Sequence, residues 1–267
     1  MTEPVPPGGL RPVRVGLLGA GYVGRALIEY LRQDKRFRLD FVCVRDPGRV
    51  PAGVTAIPPG RLVDHLGGVD VVVEAAHPSL TVDYGLSIAR ACDYLMMSTS
   101  ALVDDALRTG LTRAAEQAGH RLLLPHGALV GLESLLAGQW AGVEITFVKN
   151  PVHIEDASGR PLAAGLEGTL YRGPVRGIAE RYPRNINSMV TLALATTGLD
   201  DCTAHLIARP GADSAELQIQ AVGPDGSSLR IHKSQPMSGV SGTEMIASTL
   251  QSLLVTTGVR PAGLSFV

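Results

Sequence analysis

Cysteine, lysine and long apolar runs are all scarce in this chain of 267 residues. The three cysteines, Cys43, Cys92 and Cys202, lie far apart. That spacing excludes a disulfide framework and suits a reducing compartment, so the expected location is the cytoplasm. Each thiol is expected to act as a small buried hydrophobe. Cys92 falls inside a helical pattern, which speaks against a cysteine nucleophile at a loop mouth. No C-x-x-C or H-E-x-x-H spacing occurs, so no metal site is expected. The only lysines are Lys35, Lys149 and Lys233 among 24 basic residues, a bias that reflects genome composition. No apolar run reaches the roughly 18 residues of a membrane span, so no membrane partner is expected. Met1 to Pro12 is rich in Pro and Gly, has no signal-peptide pattern and reads as a flexible lead. A net charge of −1 lacks the basic excess of a nucleic-acid binder.

What is present is hydrophobic content of 45%, enough for a large core in one or two domains. The chain is organised around Val13 to Gly24. A short apolar run ends in Gly19-Ala20-Gly21-Tyr22-Val23-Gly24, a G-x-G-x-x-G. A helical pattern follows at once, with Val23, Ala26, Leu27, Tyr30 and Leu31 on one face. Strand, glycine turn and helix together predict a dinucleotide site. Gly19 permits the turn, Gly21 lets a diphosphate approach the backbone, and Gly24 lets helix and strand pack closely. Tyr22 and Val23 open the helix, whose free N–H groups and dipole favour phosphate.

Arg38 to Val44 reads as the second strand. A carboxylate about twenty residues past the last glycine would take the ribose 2′-OH of NAD. Val44 stands there, followed by Arg45-Asp46-Pro47-Gly48-Arg49. Asp46 can reach the ribose, while Arg45 and Arg49 can pair with a 2′-phosphate, so NADP is slightly favoured and NAD is accepted as well. Further strands are expected at Val69–Ala76, Asp93–Ser98 and Arg121–Leu124. Helices are expected at Leu80–Ala91, Val103–Ala118 and Gly131–Trp140. This alternation predicts an α/β fold with a doubly wound, mostly parallel sheet. Ligands of such sheets lie beyond the strand C-terminal ends. Ala76 and His77, Ser98, and the Pro125 loop with His126 are there, which suits a nicotinamide and substrate edge.

From Val143 the pattern changes. Val143–Lys149 alternates as a half-exposed strand, and Asn150–Gly168 reads as an excursion or flexible loop. Thr169–Tyr171 is a short strand. Asn185 or Asn187 can cap a helix from Ser188 to Thr197. Ala204–Ala208, Glu216–Val222 and Ser228–His232 read as antiparallel strands, the last two joined by a turn at Gly223–Gly226. Gly242–Val255 is a final helix. The expected layout is a lead at 1–12, a dinucleotide-binding domain at 13–141, a smaller α+β substrate and dimerisation domain with a mixed or antiparallel sheet at 142–239, and a C-terminal helix returning to the first domain at 240–267.

Several segments together resemble the L-aspartate dehydrogenase family over nearly the whole chain. They are the glycine turn, Val72-Val73-Glu74-Ala75-Ala76, Ser98-Thr99-Ser100-Ala101-Leu102, Pro125 to Gly131, Tyr171 to Arg176 and Pro183-Arg184-Asn185-Ile186-Asn187. The likeness is closer to the branch containing animal members. It implies a Rossmann domain, a substrate and dimerisation domain, and a homodimer. It also implies NAD(P)-linked interconversion of L-aspartate with iminosuccinate, hence oxaloacetate and ammonia. By motif, Ala128 and Asn187 look like dinucleotide contacts, and Asn185 flanks them. The family keeps an acid/base histidine at a place that falls within Ala215-Glu216-Leu217, where this chain has none. A second histidine of animal members is matched by His232.

Oxidising an amino acid needs a hydride acceptor, a proton acceptor and cations for the carboxylates. His232, His126 and His77 are candidates for the proton because a histidine titrates near neutrality. Lys149 could clamp a carboxylate or donate to a carbonyl. Arg172, Arg176 and Arg184 are further carboxylate partners, and Glu216 could replace the lost histidine as a base. Three functions remain open: an aspartate dehydrogenase acting on a dicarboxylic amino or keto acid, a related oxidoreductase or imine reductase for another such acid, and a dinucleotide-binding protein without turnover.

Overall fold

The computed structural model describes residues 11–238, 241–242 and 244–259. Apart from Arg11 and Pro12, the expected lead lies outside them. The described residues build two six-stranded sheets.

The first unit alternates strand and helix: β1 Val13–Leu18, α1 Tyr22–Gln33, β2 Phe37–Cys43, β3 Ala56–Ile57, β4 Val71–Glu74, α2 Pro78–Ala91, β5 Asp93–Met96, α3 Asp105–Ala118 and β6 Leu122–Leu123. Its strand order is β3-β2-β1-β4-β5-β6, and every pairing is parallel. All four residues of β4 are buried, as a strand covered by helices on both faces must be. α1 buries Val23, Gly24, Leu27, Ile28 and Leu31, the three- and four-residue stripe read in the sequence. Each of its large side chains contributes roughly 1.5–3 kcal/mol on burial. The order reverses between β1 and β4, and a ligand crevice opens at such a reversal.

The second unit holds α4 Leu132–Ala137, β7 Gly142–Lys149, β8 Gly168–Pro174, α5 Val175–Ile178, α6 Asn187–Ala195, β9 Thr203–Ala208, β10 Ser214–Val222, β11 Ser228–Ser238 and β12 Ser241–Gly242. Strand order is β12-β11-β10-β7-β9-β8. The sheet is mixed, as expected: β9 runs parallel to β7 and antiparallel to β8, while β10 runs antiparallel to both β7 and β11. The chain crosses over through α5 and α6 before β9, so β9 enters in the same direction as β7. β8 and β11 are longer than expected, because their flanking residues find ladder partners on β9 and β10. α4 ends at Ala137 instead of Trp140, and Trp140 turns back to donate its indole N–H to Leu135 O at 2.8 Å. The excursion after β7 is held by a turn in which Asp156 Oδ1 accepts from Ser158 and Arg160 N–H, and by a bridge between Glu155 and Pro161.

α6 is buried along Ser188–Ala193 because it is wedged between its own sheet and the first unit. That position explains why its sequence is apolar nearly all round. The last helix, α7 Met245–Thr256, starts later than expected and packs Leu253, Ile246, Leu250 and Leu254 into the core around α1 and β1.

Gly24 sits so close to Gly19 that an added Cβ would stand 2.3 Å from the Gly19 carbonyl oxygen. Backbone cannot swing aside as a side chain can. Gly24→Ala is therefore expected to lower stability by about 1–3 kcal/mol in chemical denaturation. A variant as stable as the parent would mean that the turn relaxes freely.

Candidate active site

The glycine turn forms one wall of a cavity of about 350 Å³ between the two units. Gly19 takes φ +96°, a conformation that favours glycine, and its N–H donates to Cys43 O at 2.9 Å. Gly21, Tyr22 and Val23 line the cavity. A Cβ on Gly21 would meet no protein atom within 4 Å, so the space before it is open. An open glycine backbone at a helix N-terminus is a cradle for a diphosphate. The residues present therefore fit a dinucleotide.

Behind this wall lies Glu74, the last residue of β4, fully buried. Its carboxylate accepts from Ala76 N (2.8 Å), Ser98 N (2.8 Å) and Ser98 Oγ (2.9 Å). Three donors compensate the burial of one charge. They also tie the loops after β4 and β5 together, so that Ala76 and Ser98 both face the cavity. Asn187 opens α6 on the far side. Its Oδ1 accepts from Ser100 N (3.0 Å), and its carbonyl accepts from Thr99 Oγ1 (2.6 Å). Ala128 lines the cavity too, and its carbonyl accepts from Lys233 Nζ at 2.8 Å.

The second unit supplies the polar wall: Lys149, Glu155, Arg184, Asn185, Lys233 and Gln235. Arg184 Nη1 donates to Glu155 Oε2 at 2.5 Å. Asn185 Nδ2 donates to Glu155 O at 2.8 Å, which leaves Asn185 Oδ1 buried without a donor. Gln235 Oε1 is likewise a buried acceptor without a donor. Two orphan acceptors facing one cavity call for a ligand that brings N–H groups. Lys233 is ion-paired with Glu244. Lys149 is 5% exposed and rests 4.8 Å from the Phe147 ring centroid. Burial pushes its ammonium down to about 8.

The structure brings together Gly21, Tyr22, Val23, Ala76, Ser98, Ala128, Lys149, Arg184, Asn185 and Asn187, with Gly19 and Gly24 shaping the turn behind. The three candidate histidines do not line the cavity, and their placement corrects that expectation. His232 pairs across the sheet with Gln218 and is 63% exposed, 3.6 Å from Glu216. Side chains alternate along a strand, so Lys233 and Gln235 face inward and His232 faces out. His126 Nδ1 lies 3.1 Å from Leu129 O and 3.3 Å from Ser248 Oγ, pinning its loop to α7. His77 caps α2, accepting from Ser79 N at 3.2 Å. Arg176 is a strut between Asp200 and Asp105, away from the cavity. Glu216 reaches the cavity rim but is held by Arg209 at 2.5 Å. Ala215 and Leu217 also line the cavity, so the place where the family histidine was expected is apolar. Arg45 and Asp46 are exposed beyond β2, outside the cavity lining. Asp46 Oδ1 accepts from Gly48 N at 3.0 Å, and Arg49 lies 3.8 Å from its other oxygen.

Glu155, Lys233 and Gln235 were missed by the sequence reading. The last two had a signal, the two-residue step along β11. Glu155 had none, because its place depends on how the excursion folds back.

Gly21→Ala should keep the fold within about 1 kcal/mol, the usual cost of alanine at an N-cap. Its Cβ should weaken dinucleotide binding at least about tenfold by calorimetry, since it occupies the diphosphate approach; unchanged affinity would remove Gly21 from the site. Lys149 yields a second expectation. Its folded pKa of about 8 lies below the ordinary 10.5, so the unfolded chain holds more protons between those values. Stability should therefore rise with pH across that window, and the full penalty applies below about 8. Lys149→Met should stabilise the protein at pH 7 by up to about 3 kcal/mol and flatten this rise. Urea denaturation over a pH series measures both, and a destabilised variant would contradict it.

Comparison with known proteins agrees with this geometry. The family model "Aspartate dehydrogenase, C-terminal" matches residues 131–256, and "Homoserine dehydrogenase, NAD binding domain" matches residues 19–125. L-aspartate dehydrogenase 1 of Bordetella pertussis is 33% identical over 90% of this chain and 96% of its own length. The aspartate dehydrogenase domain-containing protein of Danio rerio is 28% identical over 93% of this chain and 96% of its own. The crystal structure of aspartate dehydrogenase from Thermotoga maritima superposes with a TM-score of 0.72 at 21% identity, covering 95% of this chain and 99% of that one. That last likeness establishes the fold, a Rossmann unit joined to a mixed sheet. With a relative this similar spanning nearly its full length, the chain belongs to the L-aspartate dehydrogenase family.

Proposed function

We propose that the protein is an NAD(P)-linked oxidoreductase acting on the CH–NH2 group of L-aspartate. It oxidises the amino acid to iminosuccinate, which water converts to oxaloacetate and ammonia, or runs the reductive amination in reverse. The observation that carries this reading is the shared cavity, with a phosphate-binding helix start on one side and a cation-rich polar wall on the other. A dicarboxylic amino acid carries two anionic groups and one ammonium. Arg184 is placed to take a carboxylate in a charge-assisted pair, with Glu155 as the partner it holds otherwise. The orphan Asn185 Oδ1 accepts a hydrogen bond from the substrate nitrogen.

The nicotinamide, when bound, accepts or delivers the hydride at the substrate α-carbon. Gly21, Tyr22 and Val23 hold the diphosphate. Ala76, Ser98, Ala128 and Asn187 form the nicotinamide side. Arg45 and Arg49 favour the 2′-phosphate of NADP, and Asp46 leaves room for NAD. Within this reading the protein works in the cytoplasm. Its cysteines are buried and free, and burial raises Cys43 to about 11 and Cys92 and Cys202 to about 12. No described helix is long and apolar enough to cross a membrane. A homodimer forms through the second sheet, whose outer face carries Glu144, His205, Gln218 and His232.

The apolar wall of Ala215 and Leu217 supports a second reading, a dehydrogenase for another amino or keto acid. A substrate panel separates the two. Purified protein should consume NADPH with oxaloacetate and ammonia, and aspartate should be the best amino acid in the reverse assay. Arg184→Leu should raise KM for aspartate about 10–100-fold, the loss of one charge-assisted pair. Turnover that prefers a monocarboxylic substrate would favour the second reading, and no turnover with any such acid would reject both.

A further inference from the structure

Among the described residues the cavity has no histidine, yet oxidation of an amine requires that its nitrogen first lose a proton. The charged groups around the cavity are mostly committed. Arg184 pairs with Glu155, and Lys233 pairs with Glu244 and donates to Ala128 O. Glu216 on β10 pairs with Arg209 after β9. Tyr22 stands apart at the diphosphate end, 43% exposed. Lys149 differs from all of these. It lines the cavity, is almost fully buried, and among the described residues has the Phe147 ring as its neighbour in place of a carboxylate.

Its place in the sheet keeps it available. Lys149 ends β7 and pairs with Ala208 of β9. β10 pairs Glu216 with Val148, so the next antiparallel step sets Lys149 opposite Ala215. Directly opposed residues share a face of the sheet. Both flanking residues are alanines, which cannot cover the ammonium or bond to it.

We infer that Lys149 is the group that exchanges a proton with the substrate nitrogen, an inference that rests on the amino-acid dehydrogenase reading above. In the oxidative direction the neutral Nζ takes a proton from the α-ammonium. One substrate N–H bond breaks, one Nζ–H bond forms, and the electron pair left on nitrogen becomes the C=N π bond as hydride departs from the α-carbon. The reverse direction returns the proton to the amine. An ordinary lysine would be almost fully charged and useless as a base. With its pKa lowered to about 8 by burial, roughly a tenth of Lys149 is neutral at pH 7. The neighbouring charges Arg184 and Lys233 are offset by Glu155 and Glu244, so desolvation dominates.

Lys149→Arg keeps the charge but cannot become a neutral base near neutral pH. It should hold KM for aspartate within a few-fold and lower kcat at least about 100-fold. Lys149→Met should lose activity while staying folded and binding dinucleotide. Lys149→Cys treated with 2-bromoethylamine should recover activity, with its kcat/KM inflection moved to lower pH because the thioether acidifies the new amine. The native thiols are buried and remain unmodified under such treatment. Only three lysines exist, so ε-13C lysine labelling gives an NMR spectrum that single substitutions can assign. The Lys149 signal should titrate near 8, at the same pH as the kcat/KM inflection of the parent enzyme. If Lys149→Arg keeps kcat and its pH profile, or if the signal titrates near 10.5, the inference is overturned while the dehydrogenase reading stands. If the parent enzyme turns over no amino or keto acid, both fall.

Discussion

Everything in the site depends on a polar seam between the two units. Asn187 begins α6 and hands its side-chain oxygen to Ser100 N and its carbonyl to Thr99 Oγ1. Thr191, one turn on, donates to Thr99 Oγ1 at 3.2 Å in a buried setting. These bonds weld the loop after β5 to the helix covering the second sheet. Glu74 extends the same network by joining the β4 and β5 loops. Buried networks of this kind hold geometry when every member is satisfied. Without them the phosphate-binding turn and the cationic wall would be separate features on separate sheets.

The electrostatics follow from that enclosure. A cation 5% exposed and lacking a carboxylate is costly to bury, so the fold keeps it at an energetic penalty. Arg184 and Lys233 beside it each have an anion near, although burial still pushes Lys233 down to about 8. One cavity thus contains cations paired with an anion and one, Lys149, that is buried without one.

Much of the first unit was legible in the sequence. The β-branched runs, the glycine turn and the helical stripe are local signals, and every parallel strand was located except the two-residue β3, which is too short to carry a pattern. The second unit was harder to read because its order depends on crossovers. β9 resembles its neighbours in composition, yet it runs parallel to β7. Side-chain direction was the other difficulty. His232 and Lys233 are adjacent, and which one enters the cavity is a matter of register, decided by the pairing of Lys233 with Leu217. Ala128 and Asn187, named through the family resemblance, both line the cavity, one on the loop after β6 and one at the start of α6. Glu155 could not be anticipated, since a long excursion carries it back to Arg184.

The last helix leaves a mark on biogenesis. α7 fills the core beside α1 and β1 with Leu253, Ile246 and Leu250, although almost the whole second unit separates those segments along the chain. A ribosome therefore releases the nucleotide-binding half with an uncovered greasy groove, and that groove closes only after the second unit and the helix behind it have been made. Domains generally mature in the order they emerge. Here the first unit must wait for α7 to be made, and a nascent chain stalled before it would display an adhesive surface for chaperones to shield.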